Sequence, residues 1–141
     1  MSKTTATKRK AKTPAQREAA KVARQAKVDQ INAYMADAEK QGLAESDEFA
    51  EFARSFARYS VRNQMLVMMQ RPNATQVMGY RAWQAEGRQV RKGEKGIMIF
   101  GPAKKRTITE EKGGEEVERS ISMPPPVVTV FDISQTEEKV D

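Results

Sequence analysis

Aromatic and cationic side chains are concentrated between Met78 and Phe100. The stretch holds Tyr80 and the only tryptophan of the chain, Trp83. Its cations are Arg81, Arg88, Arg91, Lys92 and Lys95. Because aromatic rings stack on nucleobases and cations neutralise phosphates, this combination can serve to bind nucleic acid. The alternative is a tryptophan in the core beside cations that only solvate the surface.

Glycines and apolar runs predict how this stretch folds. Residues 80–86 are expected to form a short helix that ends at Gly87, because glycine adopts a positive φ without a Cβ clash. Residues 89–91 and 97–100 are expected to be strands, joined by a glycine-containing turn over residues 92–96. Such a hairpin would place three cations at one tip: Arg91, Lys92 and Lys95.

Several short motifs follow one another along the chain. They are F-x-x-Y-S-x-x-N-x-x-L at 56–66, Q-R-P at 70–72, A-T at 74–75, G-Y-x-x-W at 79–83, G-R-x-V-R-K-G-E-K-G-I at 87–97 and V-F-D-x-S-Q-T at 130–136. In this order and spacing they resemble the N-terminal domain of ArdC-type antirestriction proteins, a single-stranded-DNA-binding module also found at the front of some plasmid primases. The resemblance covers roughly residues 49–136.

The resemblance implies a module of mobile-element or phage type that binds single-stranded DNA, and secondarily duplex DNA, with little sequence preference. Stacking faces would come from Tyr59, Tyr80 and Trp83. Phosphate contacts would come from the five cations of residues 81–95, assisted by the basic N-terminus.

Members of this family usually continue into a zinc metallopeptidase-like or other catalytic domain, whereas this sequence ends five residues after Thr136. The sequence also has no histidine and no cysteine, so it cannot form the H-E-x-x-H pair of a zincin. We therefore expect the binding module without the catalytic half. That expectation means no enzyme activity, no catalytic residues, no metal and no cofactor, with any catalysis supplied by a partner protein.

Charge is distributed unevenly over the 141 residues, whose net charge is +6. Residues 1–27 and 71–106 are strongly basic, whereas residues 28–70 and 107–141 are net acidic. Basic blocks of this kind favour an anionic partner. The absence of cysteine, of an apolar leader and of a membrane-length apolar run leads us to expect a cytoplasmic protein without a membrane partner.

The chain divides into segments of different composition. The expected segments are a disordered basic arm at 1–12, an N-terminal helix at 13–45, the DNA-binding domain at 46–136 and a tail at 137–141. Residues 101–126 are charged and weakly periodic, so a mobile loop is expected there. The predicted fold class is α+β, with N-terminal helices packed on a small antiparallel sheet in which residues 127–131 pair with 97–100.

Helix boundaries are predicted from capping residues. Thr13 is expected to begin the first helix and Gly42 to end it. Ser46 is expected to cap a second helix that continues to the next cap, Ser60, which begins a third helix over residues 61–70.

Two features of these helices bear on function. Arg54, Arg58 and Arg62 recur every four residues, which predicts a basic stripe that faces solvent or extends the basic patch. Asn63 lies in an apolar run, and a buried amide needs hydrogen-bond partners. We expect Asn63 to hold neighbouring backbone; the alternative is that it points into a binding groove.

Two other functions remain open. The chain could act by docking on a host enzyme, with its acidic blocks imitating nucleic acid, provided that those residues lie on ordered surfaces. Residues 93–96 also match the GXXG clamp of KH domains, which would make the chain a KH-like RNA-binding protein. A KH loop joins two helices, so the structure after Gly96 separates that alternative from the others.

Overall fold

A computed structural model describes residues 11–140, and the first ten residues of the expected basic arm lie outside that range. The first helix, α1, spans Pro14–Lys40. Thr13 begins it with a capping box, because its hydroxyl accepts from the backbone N–H of Gln16 while the Gln16 side chain accepts in return. Gly42, with φ of 65°, follows the helix and allows the chain to turn into a 3-10 helix at Leu43–Glu45.

Two shorter helices follow, and both begin at the predicted serine caps. Helix α2 spans Asp47–Arg54 and α3 spans Val61–Gln70. The prediction that the second helix continues to Ser60 is wrong, because the chain leaves the helix after Arg54 and makes turns that bury Phe56. Arg62 therefore lies on a different helix from Arg54, and the basic stripe along one axis is not formed.

One further helix and seven strands complete the part of the chain that the structure describes. They are β1 Val77–Met78, α4 Tyr80–Ala85, β2 Arg88–Val90, β3 Ile97–Phe100, β4 Lys105–Lys112, β5 Glu115–Ser122, β6 Val127–Asp132 and β7 Thr136–Glu138, with a 3-10 helix at Ile133–Gln135 between the last two. The short helix predicted before Gly87 is confirmed as α4, and Gly87 has the expected positive φ of 79°. The fold is α+β, and β6 lies between β1 and β3 in an antiparallel three-stranded sheet.

Strand pairing differs from the predicted hairpin over residues 89–100. Strand β3 pairs with β6, as predicted, with Ile97 opposite Val130. Strand β2 pairs instead with β7, with Val90 opposite Thr136. The predicted hairpin is wrong because each strand has its partner far downstream in the chain, and residues 91–96 cross between the two sheets.

A long hairpin replaces the loop that was expected over residues 101–126. Strands β4 and β5 pair over their whole length, from Lys105 opposite Ser122 to Lys112 opposite Glu115. Gly113 and Gly114 form the turn, with φ of 61° and 83°, as a two-residue type I′ connection requires. The Gly-Gly pair was the available signal, and it was outweighed by the charged side chains on either side.

Most of the buried apolar residues in the described part of the chain form two clusters. The larger joins α1, α3 and the three-stranded sheet through residues such as Ile31, Leu66 and Ile99. The smaller is formed by Ala38, Leu43 and Phe49. Because α1 supplies residues to both clusters, the expected boundary at residues 45–46 does not separate two packed units. Within residues 11–140, no helix combines the length and the apolar composition that crossing a membrane requires.

Helix α3 covers the free edge of β3 with two amide side chains. Asn63 donates to the Phe100 carbonyl at 2.9 Å and accepts from the Phe100 N–H at 3.0 Å. Gln70 makes the same pair of bonds with Met98, at 2.8 and 2.9 Å. The backbone groups that an edge strand would leave unpaired are thus satisfied by side chains. Asn63 has the expected structural role, although it holds a distant strand and not the loop that follows α3.

Candidate nucleic-acid interface

The motif at residues 130–136 organises the site, and its aspartate is the first anchor. Asp132 is 1% exposed, and one carboxylate oxygen accepts from the N–H groups of Thr75 and Gln76 at 2.8 and 3.1 Å. The other oxygen accepts from the Ser134 N–H and hydroxyl at 3.0 and 2.5 Å. Burial alone would raise the pKa of Asp132, but these hydrogen bonds outweigh it and lower the pKa.

Gln135 is the second anchor, and it holds the loop of residues 91–96. Its side chain is fully buried and donates to the Lys95 carbonyl at 2.7 Å, while its backbone carbonyl accepts from the Arg91 N–H at 2.9 Å. Gly96 is required at the end of this loop, since a Cβ there would clash with Thr129 Cγ2. Both ends of the loop are therefore positioned by residues from another part of the chain.

Four cations lie next to this anchor or in the loop that it holds. The Arg71 guanidinium donates to the Ser134 hydroxyl at 3.1 Å, and the Arg91 guanidinium donates to the Ser134 carbonyl. Lys95 lines a small cavity of about 140 Å³ together with Arg71. Lys92 is exposed in the same loop. We refer to these four residues, Arg71, Arg91, Lys92 and Lys95, as the corner cluster.

The cations of the corner cluster outnumber the carboxylates beside them. Glu94 accepts from the Gln135 side chain at 3.2 Å, and Asp132 accepts from the Ser134 hydroxyl. Two carboxylates therefore lie at the same anchors as the four cations. Among residues 11–140, the ion pairs are Arg54–Glu51 and Arg119–Glu110, and neither includes a corner-cluster residue. The guanidinium groups of the cluster are bonded to neutral oxygens, which leaves their positive charge in place. Such an arrangement attracts anions, phosphates in particular.

The predicted stacking residues divide into buried and exposed ones. Trp83 is 2% exposed and its indole N–H donates to the Phe131 carbonyl at 2.8 Å, so it belongs to the core and not to a stacking surface. Tyr59 is half-buried and donates to the Val77 carbonyl at 3.0 Å, and burial raises its pKa. Tyr80 is 50% exposed on α4 and can offer a ring to a ligand.

The two remaining predicted cations lie apart from the corner cluster. Arg88 is half-buried and its guanidinium donates to the hydroxyl and carbonyl of Thr136, at 2.8 and 3.2 Å. Its hydrogen-bonding capacity is therefore largely used in joining β2 to β7. Arg81 is exposed on α4, beside Tyr80.

Sequence reasoning missed several residues of the site. Arg71, Ser134 and Gln135 were all present in motifs, but nothing in their local sequence revealed that they meet. A second feature was also missed, a groove in which Arg58 and Arg62 lie beside Tyr59 and Phe100. The recurrence of arginine every four residues was its only signal, and that signal pointed to a single helix face.

The structure after Gly96 contradicts the KH-like alternative. Residues 97–100 form β3, a strand, whereas the GXXG clamp requires a second helix at that point.

Among the described residues, no group of three or more histidine, cysteine, aspartate and glutamate side chains is arranged to hold a metal ion.

Comparison with known proteins supports the family resemblance that the order of the motifs indicated. Residues 21–131 match the N-terminal domain of the anti-restriction factor ArdC. The chain belongs to this family. The ArdC domain match begins within α1, which agrees with the packing of that helix into the core.

Two individual proteins show more limited similarity. An uncharacterized protein of Bacillus anthracis is 34% identical over 65 residues, which is 46% of this chain and 11% of that protein. The metal-free crystal structure of the antirestriction protein ArdC from plasmid R388 is 28% identical, with a TM-score of 0.36, over 57% of this chain and 28% of that one. The chain thus spans a small part of the length of either protein, and the ArdC family assignment rests on the domain match.

Proposed function

We propose that this ArdC-type domain binds single-stranded DNA with little sequence preference, through the corner cluster. The observation that carries the proposal is that Arg71 and Arg91 both bond to Ser134, while Gln135 holds the loop that carries Lys92 and Lys95. None of these four cations forms an ion pair in the described part of the chain. Their positions fit phosphate contacts, which supply affinity without reading sequence.

The rigidity of the cluster supports the same function. Because Gln135 holds the Arg91 N–H and the Lys95 carbonyl, the loop is ordered before any ligand arrives. A preorganised site loses less conformational entropy when it binds. Among the predicted stacking residues, Tyr80 has an exposed ring, whereas Trp83 is buried. The anti-restriction role that the family's name states is proposed for this chain as well.

The test is a charge-removal variant, Arg91→Gln with Lys92→Gln and Lys95→Gln. We expect weaker binding to a labelled oligothymidine, measured by fluorescence anisotropy at two salt concentrations. The log–log salt slope should fall by roughly 0.7 for each phosphate that the variant no longer neutralises. A matched control removes three cations at the base of the β4–β5 hairpin: Lys104, Lys105 and Arg106. The control has the same change in net charge and should keep most of the affinity.

The outcome that would overturn the proposal is a triple variant that binds as tightly as the parent at both salt concentrations. Thermal unfolding of both variants should accompany the titrations, since Arg91 also bonds to Ser134. Parallel titrations with duplex DNA and with RNA of the same length establish which nucleic acid is preferred.

A second candidate function is docking on a host DNA-binding enzyme. In its favour, the glutamates between positions 110 and 118 lie on paired strands, which hold their charges at fixed spacing. They are Glu110, Glu111, Glu115, Glu116 and Glu118. Binding of the purified protein to bare oligonucleotide separates the two functions, because a protein that imitates nucleic acid does not need to bind nucleic acid itself.

A further inference from the structure

A second groove lies between the start of α3 and the end of β3, away from the corner cluster. Its volume is about 410 Å³, within the range of small-molecule sites. Its lining includes two cations, Arg58 and Arg62, and two aromatic rings, Tyr59 and Phe100. Serine, asparagine, glycine, proline and aliphatic residues complete the lining, and no acidic residue is part of it.

Arg62 and Phe100 form a stacked pair in this groove. The guanidinium carbon of Arg62 lies 4.0 Å from the centroid of the Phe100 ring, a cation–π contact. Arg62 and Arg58 are both exposed, and within residues 11–140 neither forms an ion pair. Guanidinium planes and aromatic rings are the two surfaces on which proteins stack unpaired bases.

The groove is held by the same contacts that close the edge of β3. Asn63 bonds to both backbone groups of Phe100, so the strand and the start of α3 keep a fixed separation. Ser60 caps α3 by accepting from the Asn63 N–H at 3.2 Å. Both polar groups of the Asn63 amide are used in this way, which leaves recognition to the cations and rings.

We propose that this groove is a nucleotide subsite for single-stranded DNA, in which one base stacks on the Arg62–Phe100 pair and Arg58 contacts a phosphate. The inference rests on the proposed function and extends it to a second contact. Lys95 lies two residues before β3 and Phe100 ends that strand, so their backbones are at most about 17 Å apart. One strand of DNA can therefore contact the corner cluster and the groove together.

The test separates stacking from charge with Arg62→Lys and Phe100→Leu. The first keeps the positive charge and removes the guanidinium plane, and the second keeps an apolar side chain and removes the ring. Each is titrated with an oligothymidine and with an oligonucleotide of equal length whose central nucleotides are abasic. We expect each variant to lose about five-fold or more in affinity for the first and to differ little from the parent for the second. Arg54→Lys is the matched control, because Arg54 is an exposed α2 residue that pairs with Glu51.

The outcomes distinguish this inference from the proposed function. If the parent binds oligothymidine and the corner-cluster variant is weakened, but Arg62→Lys and Phe100→Leu bind like the parent, the groove is not a subsite and the proposed function stands. Equal losses on intact and abasic oligonucleotides would also overturn the stacking role. A parent that binds no oligonucleotide overturns both. Should Phe100→Leu fail to fold, Arg62→Lys decides, since Arg62 is an exposed residue.

Discussion

The sequence around Trp83 fits both a stacking residue and a core residue, and only its tertiary surroundings decide between them. Its sequence neighbours, Tyr80 and Arg81, are exposed and suit a ligand site. The α4 helix nevertheless turns Trp83 inward, where its indole N–H meets the Phe131 carbonyl across 48 residues of chain. A buried indole nitrogen almost always finds such a partner, so the hydrogen bond and the burial occur together.

We expect Trp83→Ala to lower the free energy of unfolding by about 3–5 kcal/mol, because it removes a large buried side chain. Trp83→Phe should cost less, roughly 1–3 kcal/mol, mainly by leaving the Phe131 carbonyl without its donor. Urea unfolding measures both changes. Since Trp83 is the only tryptophan, its fluorescence in the parent should also be insensitive to added single-stranded DNA. A stable Trp83→Ala variant with impaired DNA affinity would contradict this assignment.

At the scale of elements, helix α3 covers the free edge of strand β3. Asn63 and Gln70 are two helical turns apart and bond to Phe100 and Met98, the two residues of β3 whose backbone groups face away from β6. An edge strand with free N–H and C=O groups is a template for association with other strands. Here the amides of a neighbouring helix occupy that edge, and the same contact places the two arginines of the groove.

Replacing Asn63 or Gln70 with alanine should each cost roughly 1–3 kcal/mol of stability, since each change leaves two strand groups without partners. Asn63→Asp is the sharper variant. It keeps an acceptor for the Phe100 N–H but sets a carboxylate against the Phe100 carbonyl. Asn32→Ala, at an exposed position of α1, is the control and should be near neutral or slightly stabilising. Chemical unfolding that finds Asn63→Ala as stable as Asn32→Ala would show that these amide bonds contribute nothing.

At the scale of the whole molecule, one corner joins the sheet of β1, β6 and β3 to the pair of β2 and β7. Asp132 ends β6, caps the 3-10 helix that follows and holds the backbone just before β1. Gln135 then attaches the basic loop to the same corner. The β4–β5 hairpin lies outside this organisation, since its strands pair with each other and with none of the other described strands.

The hydrogen bonds to Asp132 predict how stability depends on pH. Because folding lowers the pKa of this carboxyl, the stabilisation is present above its unfolded pKa of about 3.9 and is lost as the pH falls through the lower folded value. Asp132→Asn should be less stable than the parent at pH 7, and the difference between them should shrink as the pH falls below about 4. Urea midpoints measured from about pH 7 to about pH 2.5 give this difference directly. A constant difference over that interval would mean that ionisation of Asp132 does not contribute.

The sequence by itself determined the features that depend on neighbouring residues. Three helices begin where a side-chain oxygen accepts from an N–H three positions on, at Thr13, Ser46 and Ser60. Helices α1 and α4 are followed by Gly42 and Gly87, which adopt a positive φ. The α+β class and the pairing of β3 with β6 also followed from apolar patterns.

Only the tertiary structure decided which distant groups meet. The pairing of β2 with β7, the burial of Trp83 and the attachment of Lys95 to Gln135 each join residues forty or more positions apart. Local sequence does not encode such choices, because a strand or a loop has several partners of similar propensity and the packing of the entire core selects among them. The cations of the site could therefore be recognised from sequence, whereas their common anchor at Ser134 and Gln135 could not.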